Sequence, residues 1–246
     1  MFRRSAATRV LPVAAVVLAT IAPLSALHGQ VSAGFAALDD TRYRLSVSTA
    51  NYRYANAHGL SLAAGTRGPV YGAANVAWSY DDELDVSSYD VGIRLGVDLP
   101  RGDGRITICP SASLTTSLIP RGQIVYTGIW METWNVAAAA RFGAVATAIQ
   151  TNRLTIRPGA ELEAVRVWGW VRTDYQTDRR NELYWIAGVG ISATVADRFT
   201  IRPGLTVPFG FVPPRGRPEF YAMPHGRMNR EIALELKVGV NFGKRR

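Results

Sequence analysis

Residues 89–99 read Tyr-Asp-Val-Gly-Ile-Arg-Leu-Gly-Val-Asp-Leu. Tyr89, Val91, Ile93, Leu95, Val97 and Leu99 alternate with Asp90, Gly92, Arg94, Gly96 and Asp98. A strict period of two is the signature of a strand with one apolar face and one small, polar or charged face. The pattern returns at 232–242, where Ile232, Leu234, Leu236, Val238, Val240 and Phe242 alternate with Ala233, Glu235, Lys237, Gly239 and Asn241. It returns at 199–209, with Phe199, Ile201, Pro203, Leu205, Val207 and Phe209 on the apolar side. These runs are longer than ordinary soluble strands and long enough to cross a membrane at a tilt.

An internal repeat links several of these strands. Gly104-Arg105-Ile106-Thr107-Ile108-Cys109-Pro110 recurs as Asn152-Arg153-Leu154-Thr155-Ile156-Arg157-Pro158 and as Asp197-Arg198-Phe199-Thr200-Ile201-Arg202-Pro203. Each copy follows a tight polar turn and opens a strand, as expected of a periodic hairpin unit. Pro110, Pro158 and Pro203 sit inside these strands, where proline normally marks an edge. Their equivalent places predict a shared bulge or kink. The predicted strands are 41–52, 57–66, 69–80, 88–99, 105–118, 132–149, 153–168, 182–196, 198–211 and 230–242. The connections at 81–87, 119–131, 169–181 and 212–229 are longer and more polar than the turns at the opposite end. An even count with short turns at one end and long loops at the other predicts an all-β, antiparallel, up-and-down transmembrane β-barrel of about ten strands, with eight as the alternative.

The ends of the chain set its destination. Arg3, Arg4 and Arg9 precede an apolar run from Val10 to Leu27, with small residues near Ala26. Basic, apolar and small-residue segments in that order predict a signal peptide over 1–30, exported by the Sec route and cleaved between Ala26 and Gln30. A retained anchor is the alternative, since the run is close to spanning length. Residues 31–40 are then a short periplasmic segment, 41–242 the barrel and 243–246 a basic tail. The formal charge of +9 owes much to six Arg and Lys residues at the two termini. The other arginines are dispersed, which argues against a nucleic-acid stripe. Cys109 is the single cysteine, so no intrachain disulfide is possible.

Period alone does not say which face points inward, and a soluble lipocalin-like barrel alternates too. Aromatic placement favours the membrane reading. Trp78, Tyr80, Tyr89, Trp134, Trp168, Trp170, Trp185 and Phe211 lie beside the long connections, as do Trp130 and Tyr184, with Phe199 and Phe242 at the turn ends. Strand-end aromatics are expected of a girdle at the headgroup level. The other face then delivers Asp90, Asp98, Arg94, Arg141, Arg157, Glu161, Glu163, Arg202, Glu235 and Lys237 to the lumen. In a narrow barrel such charges pair, because an isolated buried charge is costly. At the rim, Arg172, Arg179, Arg180, Arg215, Arg217, Arg227 and Arg230 could meet lipopolysaccharide phosphates, or stay solvated.

With these strands in place the chain resembles small bacterial outer-membrane β-barrel proteins over about 41–242. The most specific element is the last strand, Glu235-Leu236-Lys237-Val238-Gly239-Val240-Asn241-Phe242. The resemblance implies that Val240 and Phe242 are an assembly signal read by the barrel-assembly machinery. Two features depart from it: Phe242 is followed by Gly243-Lys244-Arg245-Arg246, and Lys237 stands where the pattern often has Gly. The resemblance names an architecture, which many functions share.

Catalysis finds little support in the sequence. After the leader the histidines are His58 and His225, with Asp81, Asp82 and Asp85 as conceivable partners of a rim protease. No Gly-x-Ser-x-Gly elbow and no ligand-spaced metal cluster accompanies them. The expectation is a monomeric, non-enzymatic outer-membrane barrel without cofactor, metal or nucleic-acid partner, structural or surface-interacting in role. A narrow porin-like solute or ion channel and a soluble periplasmic ligand-binding barrel are the alternatives.

Overall fold

The computed structural model describes residues 41–51, 55–66, 68–81, 86–102, 104–123, 130–173, 177–210 and 232–244. Segments 1–40, Phe211, the arginines of 215–230, His225, Asp82 and Asp85 lie outside the described residues. Among those described, every element is a strand: β1 (Thr41–Asn51), β2 (Ala55–Gly65), β3 (Val70–Asp81), β4 (Val86–Val97), β5 (Leu99–Arg101), β6 (Ile106–Gln123), β7 (Trp130–Ala146), β8 (Ile149–Gln150), β9 (Leu154–Thr173), β10 (Thr177–Val195), β11 (Phe199–Phe209) and β12 (Ala233–Lys244). β5 and β8 are short continuations of β4 and β7, which leaves ten strands in the wall.

All neighbours pair antiparallel in chain order, and β12 pairs with β1 to close the sheet. Partners traced from Arg166 pass Ala138, Leu114, Ile93, Ala74, Leu62, Leu45, Val240, Phe199 and Val195 and return to β9 at Leu154. That slip along β9 is the stagger that closure demands, and it tilts the strands by about 40°. At about 4.8 Å between strands and this tilt, the wall is about 20 Å across, backbone to backbone.

Alternation then sorts the side chains, with the apolar set outside. Leu95, Leu234, Val91 and Ile93 are 66%, 63%, 60% and 58% exposed, whereas Arg141 and Glu163 are 6% and 3% exposed. A soluble barrel requires the reverse, so the lipocalin-like alternative is overturned by the direction of the pleat. The apolar outer band is bounded by aromatics. Trp78, Tyr89, Trp134, Trp168, Trp185 and Phe209 are exposed toward one end, and Tyr43, Phe199 and Phe242 toward the other. Phe199 and Phe209 begin and end the 11-residue β11. At about 3.3 Å per residue and about 40° of tilt they stand about 25 Å apart along the axis. That matches the apolar height of an outer-membrane barrel.

The structure corrects several boundaries. Residues 119–123, 130–131, 169–173 and 177–181, expected in loops, continue β6, β7, β9 and β10 beyond the upper aromatics. Polar composition misled there because a wall projecting into water has no lipid face to keep apolar. Tyr184, grouped with the girdle, faces inward and is fully buried, since it alternates with the outward Trp185.

The three prolines also differ from a common bulge. At each, the ladder toward the preceding strand is interrupted: β4 and β5 part opposite Pro110, β7 and β8 opposite Pro158, and the β10–β11 ladder skips from Gly190↔Gly204 to Ala193↔Ile201 around Pro203. A residue with no N–H leaves that rung unmade. The register is unchanged across Pro110 and Pro203 and slips only at Pro158, between Val145↔Gly159 and Ile149↔Ile156.

The repeat has a second structural use. The carbonyls of Arg105, Arg153 and Arg198 accept from the backbone N–H of Thr147, Ala196 and Asn241 at 2.7 Å each. Each copy thereby ties its turn to a neighbouring strand. Between β10 and β11, Ala196 and Asp197 both take positive φ (50° and 55°), and Arg198 N–H donates to Val195 carbonyl. This is the left-handed tight turn that suits the twist of a hairpin.

Two substitutions test this wall. Leu95→Arg places a charge near the middle of the lipid face and should cost about 2–4 kcal/mol of folding stability in vesicles, read from urea titrations. Gly96→Ala tests the interior: Tyr71 pairs with Gly96, and a β-carbon there would collide with its phenol ring. It should cost about 1–3 kcal/mol, with Gly72→Ala on the outer face nearly silent in the same titration.

Candidate functional site: the charged interior

Every residue of the expected lumen set alternates with outward neighbours and so takes an inward position, Asp98 at the break between β4 and β5 and the others on strands. Arg94, Arg141, Glu161, Glu163 and Arg202 are buried, and Arg157, Glu235 and Lys237 partly so. The centre of the set is Arg141 on β7. Its Nη2 donates to Glu163 Oε2 at 2.6 Å, and its Nη1 lies 3.4 Å from Glu161 Oε2. Glu163 is the direct ladder partner of Arg141, whereas Glu161 sits two residues away on the same face of β9. One guanidinium thus bridges two carboxylates that would otherwise repel.

Hydroxyl groups tie three further charges to the wall. Arg202 Nε donates to Ser192 Oγ at 3.1 Å, and Arg157 Nε to Thr147 Oγ1 at 3.1 Å. Thr206 Oγ1 donates to Glu235 Oε1 at 3.3 Å. Between Glu161, Arg202, Glu235 and Lys237 remains a small cavity with room for about one water molecule. Glycine makes space for the long side chains. A β-carbon at Gly188 would lie 2.8 Å from Glu161 Cγ, and one at Gly239 would lie 3.3 Å from Arg44 Cγ.

The sequence reading missed Arg44, whose strand carries a weaker alternation. Arg44 Nε donates to Asn241 Oδ1 at 2.6 Å, Asn241 Nδ2 donates to Thr200 Oγ1 at 3.0 Å, and Thr200 shares a 3.1 Å hydrogen bond with Thr194. This chain crosses β1, β12, β11 and β10, so it also fastens the closing seam. Its sequence signal was parity, since Arg44 alternates with Tyr43 and Leu45. Reasoning by alternation also missed Arg166, which faces outward among apolar residues and donates to Asn181 Oδ1 from Nε at 3.2 Å and Nη2 at 3.0 Å.

Other expected residues are dispersed. Tyr80 and Trp170 are partly buried on outward positions. His58 lies on the outer face opposite Trp78, away from the lumen charges. Cys109 is buried in the interior wall beside Val145, with Sγ 3.8 Å from the Thr107 carbonyl. Val240 and Phe242 face outward on β12, opposite Leu45 and Tyr43 of β1. Among the described residues, no group of three His, Cys, Asp or Glu side chains is arranged to hold a metal ion.

Removing the central cation should be more harmful than removing the whole ionic group. Arg141→Ala leaves two carboxylates without their common partner and should cost about 3–5 kcal/mol. Replacing Arg141, Glu161 and Glu163 together by Met and Leu should cost much less, in equilibrium unfolding from lipid vesicles.

No family model matches the chain, and no curated protein matches it. Among solved structures it is similar to the N-terminal β-barrel domain of Pseudomonas aeruginosa OprF, at 12% identity over 81% of this chain and 96% of that one, with a TM-score of 0.35. It is similar to the KdgM porin, at 8% identity over 81% and 99% of the two chains, with a TM-score of 0.37. The translocator domain of the autotransporter NalP from Neisseria meningitidis gives 12% identity over 97% and 100%, with a TM-score of 0.47. The OprF structure is itself a β-barrel domain.

Proposed function

We propose that this outer-membrane barrel is non-enzymatic, that its own ion pairs seal its interior, and that its role is structural or in surface interaction at the cell envelope. The observation that carries the reading is the Arg141 bridge to Glu161 and Glu163. It lies within the lipid-spanning height, since the neighbours of Arg141 in sequence, Ala140 and Phe142, are exposed on the outer face. A ten-strand lumen is only slightly wider than its side chains. Arg44, Arg94, Arg141, Arg157, Arg202 and Lys237 project into it against Asp90, Asp98, Glu161, Glu163 and Glu235. Near-balanced charge at this density neutralises itself and leaves little room for a continuous water column. The lipid-facing Val240 and Phe242 of β12 serve this reading as the assembly signal, on the strand that closes the wall.

Gel migration with and without boiling should reveal a heat-modifiable band recovered from the outer membrane. In planar bilayers the wild-type protein should stay silent, whereas Arg141→Ala/Glu161→Ala/Glu163→Ala, with its central side chains truncated, should give discrete conductance steps. A stable unitary step from the wild type would replace the sealed barrel by the narrow channel. Recovery from the soluble periplasm would sink both.

A further inference from the structure

We propose that the outer wall at β9 and β10 carries a binding site for the phosphate of an outer-leaflet lipid, centred on Arg166. The inference rests on the reading of the chain as an outer-membrane barrel, and it moves the basic lipid contact from the loops to the wall itself.

Arg166 occupies an unusual place. Its partners across the two ladders are the apolar Ala138 and Leu183, and it stands one outward position below Trp168, at the upper aromatic level. Among the described residues on the outer face, the other charged side chains are Arg101 at the opposite rim, and Glu132, Arg172 and Arg179 beyond Arg166 toward the outer end. A cation facing lipid is tolerated near an interface, where it meets headgroups. This one is also held in place. Asn181 Oδ1 accepts from both its Nε and its Nη2, and the guanidinium lies 5.7 Å from the Trp168 ring centroid. Two of its five donors are occupied, so a planar fork remains for an anion.

A second cation completes the site. Arg179 pairs directly with Trp170, one outward position from the rung where Asn181 faces Trp168. Asn181 and Arg179 of β10 thereby line one side of a strip along β9 that runs from Arg166 past Trp168 to Trp170. Arg172 lies farther out and opposite Glu132, which supplies its own counter-charge. Below Arg166 the outer surface is shallow, because Ala112, Ala138, Ala140 and Ala164 are adjacent in the ladders. A phosphate at Arg166 would hang its acyl chain over these alanines. The end of the barrel opposite the short turns faces the outer leaflet, so the occupant is a phosphorylated glycolipid of that leaflet.

The test uses protein folded in detergent micelles and native mass spectrometry, with diphosphorylated lipid A and its dephosphorylated form as probes. The wild type is expected to prefer the phosphorylated form at least tenfold. Arg166→Gln/Arg179→Gln should lose that preference, and Arg153→Gln/Arg198→Gln at the opposite rim, equal in charge removed, should keep it. Arg166→Lys retains charge but loses the planar fork, and should weaken the preference even if the double variant does not fold. Equal binding of the two lipids, or a preference that survives in the folded double variant and in Arg166→Lys, overturns the proposal. Displacement of the lipid by inorganic phosphate at matching concentration overturns it as well, by showing a free-anion site. A wild-type chain without a heat-modifiable band refutes the barrel reading instead, which keeps the two failures apart.

Discussion

Hydrocarbon offers no hydrogen-bond partner, so every backbone N–H and C=O within it must be paired inside the protein. The rest of this structure depends on that constraint. A sheet of strands satisfies it only when its two edges meet, and here they meet where β1 pairs with β12 from Thr41↔Lys244 to Asn51↔Leu234. Closure imposes tilt and stagger, stagger sets the diameter, and the diameter decides what the lumen can hold. The prolines show the tolerance of the rule: each leaves a gap on one side of its strand while the opposite ladder runs on.

Inside, the constraint changes from backbone to side chain. Charges that the pleat turns inward are cut off from bulk water by the wall and by each other. The wall answers with short local solutions. One guanidinium serves two carboxylates, the hydroxyls of Ser192 and Thr147 accept from Arg202 and Arg157, and glycines yield space beneath long side chains. The interior is therefore an ionic core rather than a hydrophobic one. A half-satisfied ionic network keeps the desolvation cost without the pairing. Arg44 and Asn241 carry a second polar chain across the seam where the sheet closes.

Much of this was legible residue by residue. The alternation at 89–99, 199–209 and 232–242 placed Leu95, Ile201 and Leu234 on one face and Arg94, Arg202 and Glu235 on the other. The 105/153/198 repeat marked the short turns. Less legible were the strand extensions at 119–123 and 169–173, where polar composition resembles a loop but the ladders continue into water. Tyr184 and Arg166 were misread or missed because type and parity disagree: an aromatic points inward and a cation points outward. Local alternation carries the parity but gives no reason to trust it over residue type.

The sequence by itself determined the strand period and which residues share a face, because a side chain's face follows from the two-residue repeat of the backbone alone. Only the tertiary structure decided which face is inside, since the same alternation fits a soluble barrel and a membrane one. It also decided that Arg141 meets both Glu161 and Glu163, that Arg44 reaches Asn241, and that Arg166 stands beside Asn181. Those pairings depend on the register between neighbouring strands, and for Arg44 and Asn241 on strands from opposite ends of the barrel sequence that only closure brings together.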